Sequence, residues 1–190
     1  MVLGVAGVGK TTFGRYLASA LKIRFLDVPE FVKKRRLYSR YDRRSQAYLI
    51  DLRKVSIAVG AELVGEKAVI ASIYAFKPRG VDVEMAIILR MKPTELIRVL
   101  RERRYPPDKI RENVLAELID QPLYEAVSKF EVDKIIQLNV TKRDLSKLAL
   151  EVAEKIAKGE AKSLSREVDW IKELEEEGSL EDVLRFIESQ

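Results

Sequence analysis

Residues 4–11 read Gly4-Val5-Ala6-Gly7-Val8-Gly9-Lys10-Thr11, and this stretch decides the fold. It is a glycine, four variable residues, then Gly-Lys-Thr, the spacing of a phosphate-binding loop between a strand and a helix. Gly4, Gly7 and Gly9 lack a Cβ, so the backbone can turn its N–H groups inward. Those groups, with the positive end of the following helix, form a cradle for phosphate oxygens. Lys10 adds a mobile charge for the β- and γ-phosphates, and the Thr11 hydroxyl suits Mg²⁺. The flanks agree: Val2-Leu3 is apolar before the loop, and Phe13, Tyr16, Leu17 and Leu21 recur at helical spacing after it. The strand feeding such a loop normally runs five or six residues. Here it is either clipped to a stub or continues in a natural start upstream of Met1.

Composition narrows the chemistry. The 190-residue chain suits one domain with a small appendage, and 47% hydrophobic residues suffice for a globular core. There is no Cys and no His, which removes disulfides, thiolate nucleophiles, imidazole bases and zinc sites of the usual kind. Chemistry must therefore rest on Lys, Arg, carboxylates, hydroxyls and backbone. A net charge of +5 favours anionic partners such as a nucleotide or RNA. Charged residues make up 34% of the chain and Met is scarce, which leans towards a thermophile. No apolar run is long enough to span a membrane and the start lacks a signal peptide's basic region, so a cytoplasmic protein without a membrane partner is expected.

Outward from the loop, apolar strands alternate with helices about five times. Strands are expected over 23–26, 68–74, 85–89 and 135–138, and helices over 11–22, 29–36, 51–66, 93–104, 106–118 and 141–158. The pattern predicts an open, parallel, five-stranded sheet with helices on both faces, its ligands beyond the carboxyl ends of the strands. Residues 33–44 are the most basic window, with Tyr38 and Tyr41 between cations. The window reads equally as a solvated face or as an acceptor site where a base stacks beside phosphates. From residue 159 the chain changes character. Two short amphipathic helices separated by Gly178 are expected, their apolar face (Trp170, Ile171, Leu174) packing on the chain's own domain or meeting a partner.

These features together resemble the small adenylate kinases of archaea and eukaryotic nuclei, the adenylate kinase isoenzyme six type, over about residues 2–158. The more specific marks are Leu37-Tyr38-x-x-Tyr41-Asp42, Leu49-Ile50-Asp51, Arg103-x-Tyr105, Lys109-Ile110-x-Glu112-Asn113 and Glu117. The resemblance implies a P-loop nucleoside-monophosphate-kinase fold over 1–158, with a monophosphate-binding segment near 27–50, a lid near 102–112 and a helical extension over 159–190. It implies Mg²⁺ as cofactor, ATP and AMP as substrates, adenylate kinase and ATPase activities, and a role in small-ribosomal-subunit maturation with a ribosomal protein and pre-ribosomal RNA as partners. Carried over by position, Gly7, Val8, Gly9, Lys10, Thr11 and Thr12 hold the ATP phosphates, Arg103 is the catalytic lid arginine, and Lys142 lies beside the adenine. Arg36, Tyr38, Arg40 and Tyr41 are the candidate AMP contacts, and Thr11 with Asp27 the metal ligands.

One departure stands out. The family carries Asp-x-His after the third strand, its Asp assisting Mg²⁺, where this chain has Ser72-Ile73-Tyr74. Asp27 and Asp51 are the candidate substitutes, and Ser72→Asp is expected to restore charge beside the metal. Three readings follow: an ATP:AMP kinase; a nucleotide-dependent assembly factor with slow chemistry, favoured by the missing motif and the added helices; and, least favoured, a kinase for another hydroxylated metabolite.

Overall fold

The structure, a computed structural model, describes residues 1–42 and 47–189. Five strands form one parallel sheet: β1 (Val2–Leu3), β2 (Arg24–Asp27), β5 (Ala68–Ala71), β6 (Ala86–Arg90) and β7 (Ile135–Asn139), in the order β2-β5-β1-β6-β7. Its short central strand is held on both sides, Val2 opposite Ala71 and both Val2 and Leu3 opposite Ile87 and Ile88. The protein is a P-loop, nucleoside-monophosphate-kinase-like α/β fold, as the alternation of strands and helices predicts.

Side chains alternate across this sheet, and both faces are covered. Val2, Val69, Ile87 and Leu89 face a core built with α1 (Lys10–Leu21), α4 (Pro93–Glu102), α5 (Pro107–Leu118) and α7 (Leu145–Ala157). Leu3 and Ile88 face the other way, onto Ala126 of α6 (Gln121–Val127) and Phe130. On that same side, Ile70 meets Val28 and Val32 of α2 (Val28–Arg35) and Val55 and Val59 of α3 (Leu52–Glu62). Burial on two faces explains why the strands read as continuous apolar runs rather than alternating ones.

The extension after residue 158 packs on its own chain. Trp170 and Leu174 of α8 (Trp170–Glu176) and Val183 of α9 (Leu180–Glu188) are buried in the main core with α5 and α7. Trp170, 1% exposed, donates its indole N–H to Glu117 Oε1 at 2.8 Å. Glu117 also accepts from Arg90 Nε at 2.8 Å and from the Met91 backbone N–H at 3.1 Å. Arg90 is fully buried too and reaches Gln137 Oε1 at 2.7 Å and the Asp120 carboxylate. Burial raises the Glu117 pKa above the usual carboxylate range, while Arg90, Trp170 and the Met91 N–H oppose the shift. At the surface, Lys92 pairs with Glu173 at 3.2 Å and with Glu177.

Several boundaries differ from the sequence expectation, each for a local reason. The run over 68–74 stops as a strand at Ala71 because the Ser72 hydroxyl donates to the Tyr74 carbonyl at 2.7 Å and accepts from the Tyr74 N–H at 3.1 Å. That bond pair closes a tight turn. The helix expected from 141 begins at Leu145, where Asp144 caps the N–H groups of Ser146 and Lys147. Residues 38–50, given no strands above, form an antiparallel hairpin of β3 (Tyr38–Asp42) and β4 (Ala47–Ile50). Arg43 and Arg44 of the basic window lie outside the described residues.

Candidate nucleotide site

The phosphate loop bridges β1 and α1, and its shape needs its glycines. Gly7 and Gly9 sit at φ 95° and 94°, in the left-handed region. A Cβ at Gly7 would stand 2.8 Å from Leu100 Cδ2 of α4, and one at Gly9 2.5 Å from Leu145 Cδ1 of α7. Two neighbouring elements therefore grip the loop from outside and leave its N–H groups for a ligand. A third grip comes from α5: Asn113 Oδ1 accepts the Ala6 N–H at 2.9 Å, while its Nδ2 donates to the Lys109 carbonyl at 2.7 Å. Val8 is fully buried and serves the core.

Lys10 opens α1 and donates to the Val5 carbonyl at 2.7 Å, its chain folded back over the loop. Desolvation there lowers its pKa to about 8, against the favourable charges of Asp27 and Glu117 and together with the unfavourable one of Arg103. Arg103 caps α4 one turn beyond Leu100, the residue that a Cβ at Gly7 would meet. The corner over 102–112 is tight: Glu102 ends α4, Arg104 takes φ 57°, and Pro107 begins α5.

Thr11 donates its hydroxyl proton to Asp27 Oδ2 at 2.6 Å. Asp27 is held by position, at the end of β2, with Oδ1 capping α2 through the Glu30 N–H at 3.1 Å. A hydroxyl and a carboxylate thus stand together at the mouth of the loop, the oxygen donors Mg²⁺ prefers. Among the described residues no cluster of three or more acidic side chains is gathered, so a Mg²⁺ held here would complete its shell with phosphate and water oxygens. Asp51 does not join this pair; it caps α3 through the Arg53 N–H at 2.9 Å. Ser72 is fully buried, and the turn described above uses both its donor and its acceptor. Lys142 takes φ 53° in the loop that leads to Leu145, on the Gly9 side. Thr12 is exposed on the first turn of α1.

Beside the loop lies a cavity of about 680 Å³. Gly4, Val5 and Ala6 form one wall, α2 contributes Pro29 and Lys33, and the hairpin contributes Tyr48 and Ile50. Tyr105, Lys109 and Asn113, Gln121 and Glu125 of α6, and Ser72, Ile73 and Tyr74 after β5 complete the lining. Of the four candidate AMP contacts, none lines this cavity. Tyr38 and Tyr41 flank Tyr48, with ring centroids 4.4 and 4.9 Å from it, while Arg36 and Arg40 are exposed nearby. Tyr48, Gln121 and Glu125 had no signal in the sequence, because nothing local marks a side chain that lines a cavity only after distant segments come together.

Two comparisons with known proteins bear on this arrangement. Residues 1–120 match the family model described as an AAA domain, a phosphate-loop nucleotide-binding family. The chain is 32% identical over 170 residues to a "Putative adenylate kinase" of Methanocaldococcus jannaschii, covering 89% of this chain and 90% of that one. Proteins of the same printed name from Saccharolobus solfataricus and Pyrococcus furiosus are each 28% identical, over 189 and 175 residues, covering 100% and 92% of this chain and 96% and 92% of theirs. A glycine-held loop with Lys10 and Thr11, on a sheet of this order and with relatives along its whole length, is enough: the chain belongs to the adenylate kinase-like P-loop family.

Proposed function

We propose that this protein is a Mg²⁺-dependent nucleoside monophosphate kinase that moves the γ-phosphate of ATP to AMP. The observation that carries the reading is the shared wall: residues 4–6 border the 680 Å³ cavity on one side and continue into the phosphate loop on the other. A donor and an acceptor bound in these two places meet end to end across the loop. Phosphoryl transfer asks the protein mainly for positioning and charge neutralisation, and the residues here can supply both. The loop N–H groups and Lys10 hold the donor phosphates. Arg103, from the α4–α5 corner, adds charge where it spreads over the transferring group. Thr11 and Asp27 would hold Mg²⁺, which would supply neutralisation of donor phosphate charge. The cavity, lined by Lys33 and Lys109, receives the acceptor, while Arg36, Tyr38, Arg40 and Tyr41 stand outside its lining. Lys142 borders the donor base. The names of the archaeal relatives agree with this chemistry.

Incubation of the purified protein with Mg-ATP, with and without AMP, tests it. ADP formation that depends on AMP is expected; equal ADP without AMP transfers the case to hydrolysis. One observation favours that second reading, a slow ATPase that assists assembly of the small ribosomal subunit by binding a ribosomal protein or its RNA. The turn at Ser72 holds no carboxylate, so acidic assistance to the metal falls to Asp27 alone. No described helix is long and apolar enough to cross a membrane, which leaves both readings open to a protein acting away from one.

A further inference from the structure

The C-terminal extension ties down the same two helices that grip the phosphate loop. α4 carries Leu96 and Leu100, the side chains a Cβ at Gly7 would meet, and α5 carries Asn113, which accepts the Ala6 N–H. Arg103 sits on the corner that joins them. The extension reaches this helix pair at three places. At the start of α4, the Lys92 ammonium pairs with Glu173 of α8 at 3.2 Å and with Glu177 just beyond that helix. In the last turn of α4, the Arg101 guanidinium lies over the Phe186 ring of α9, Cζ 5.1 Å from its centroid. On α5, Glu117 accepts the Trp170 indole N–H about one turn beyond Asn113. α4 is thus held at both ends, the second time only two residues before Arg103. Among the described residues, none of the extension lines the cavity, so any effect it has there must pass through these helices.

From this we infer that the extension braces the α4–α5 corner, with Lys92, Arg101 and Phe186 as positioning residues that hold Arg103 ready for phosphoryl transfer. Burial of Trp170, Leu174 and Val183 already docks the extension on the core. The ties at Lys92 and Arg101 lie further out, where ion pairs and cation–ring contacts add little to stability. What they add is direction, because they fix how α4 lies along the extension. A charge fixed where negative charge spreads needs no ordering at the moment of reaction, whereas a corner free to wander must be ordered then. The two outer ties should therefore act on turnover more than on folding or on nucleotide affinity.

The inference rests on the kinase reading, and its test keeps the two apart. In the full chain, Glu173→Gln with Glu177→Gln cuts the first tie, and Phe186→Leu cuts the second while keeping apolar bulk. With all three changes, kcat for ATP and AMP should fall about fivefold while each KM stays within about twofold. In an Arg103→Ala background the same three changes should alter kcat by less than about twofold, because the ties act through that arginine. A general loosening of the fold would instead lower kcat by the same factor in both backgrounds, and that result overturns the brace even if the melting temperature also drops. Lys92→Glu with Glu173→Lys and Glu177→Lys rebuilds the first tie with its charges reversed, and should keep kcat within about twofold of the unaltered chain. A reversed tie that works no better than a cut one overturns the inference, as does an unchanged kcat in the triple variant. Either result spares the kinase. If the unaltered chain forms no ADP that depends on AMP, the kinase reading falls and takes the brace with it.

Discussion

The proposed donor and acceptor ends of this cleft share residues 4–6 and are built by different means. The donor end is one unbroken stretch of backbone, with Lys10 and Thr11 as its working side chains and Leu96, Leu100 and Leu145 gripping it from behind. The acceptor end is a set of side chains gathered from α2, β4, the turn after β5, α5 and α6. A backbone cradle recognises what every nucleotide has, a phosphate; side chains gathered from distant segments can distinguish one acceptor from another. The two ends should therefore fail differently. Damage at the donor end should remove turnover with any acceptor, and damage at the acceptor end should change which acceptor is used.

The largest effect is expected at Lys10, the cation that the loop would offer the donor phosphates on the proposed reading. Lys10→Ala should lower turnover by about a thousandfold or more, as removal of a charge-stabilising group in a dry site does. It should also weaken ATP binding while leaving the AMP affinity of the cavity near its original value. Steady-state turnover with calorimetry for each nucleotide checks this. Loss of AMP and ATP binding together would break the division into two ends.

Next comes the strut both ends lean on. α5 holds the loop through Asn113 and lines the acceptor cavity through Lys109, while Glu117 on the same helix accepts from Trp170. Truncation after Gly159 exposes a core otherwise sealed by Trp170, Leu174 and Val183, and takes one donor from a fully buried carboxylate. A loss of about 3–5 kcal/mol is expected from cavity and unpaired-group effects combined, read as a large fall in melting temperature. Trp170→Phe keeps most of the packing and removes only the N–H. It should cost about 1–3 kcal/mol, measured by denaturant unfolding, because Glu117 already has one carboxylate oxygen without a partner among the described residues. An unchanged melting temperature in the truncated protein would show that the extension seals nothing.

How much of this was written in the sequence follows the same division. The phosphate loop, the parallel sheet and the two C-terminal helices are set by contiguous patterns: glycine spacing, apolar runs and helical periodicity. Thr11 and Asp27 are legible as separate residues, and the fold adds that they meet at 2.6 Å. The hairpin escaped because Tyr38 and Tyr41 stand three apart, a register shift between Tyr38 and Arg40 breaking the period of two, and the positive charge of 33–44 dominates the stretch. Gln121 and Glu125 escaped because α6 is short and its helix signal is broken by Asp120, at φ 58°, and Pro122. The Arg90–Glu117–Trp170 network joins three remote positions, and no local pattern announces a buried ion pair.

A smaller effect tests the departure at Ser72. Charge restored there was expected to help the metal, but the fully buried hydroxyl closes a turn by both donating and accepting, and Asp27 already stands beside Thr11. An ionised Asp side chain can accept the Tyr74 N–H but cannot donate to its carbonyl. Ser72→Asp should therefore lower stability by about 1–3 kcal/mol, the cost of a buried acceptor left without its donor, and should not raise turnover. Higher turnover at unchanged stability would mean that the turn tolerates a carboxylate facing the metal.

The smallest effect is one of pH, and it isolates the donor end without changing a residue. Desolvation brings the Lys10 pKa down to about 8 in the empty loop. Between that value and the ordinary lysine range the unfolded chain binds more protons than the folded one, so this group's contribution to stability rises with pH across that window. Nucleotide binding runs the other way. Phosphate oxygens favour the charged amine and raise its pKa again, so binding above pH 8 must take up a proton. ATP affinity should fall by about tenfold between pH 7 and 9, since only about a tenth of the amine stays charged one unit above its pKa. AMP affinity, which on the proposed reading rests on Lys33 and Lys109, should stay level over the same range. Calorimetry at pH 9 in two buffers of different ionisation enthalpy would register the proton taken up with ATP and none with AMP. A parallel decline for both nucleotides would place the titrating group in the shared wall rather than in the donor loop.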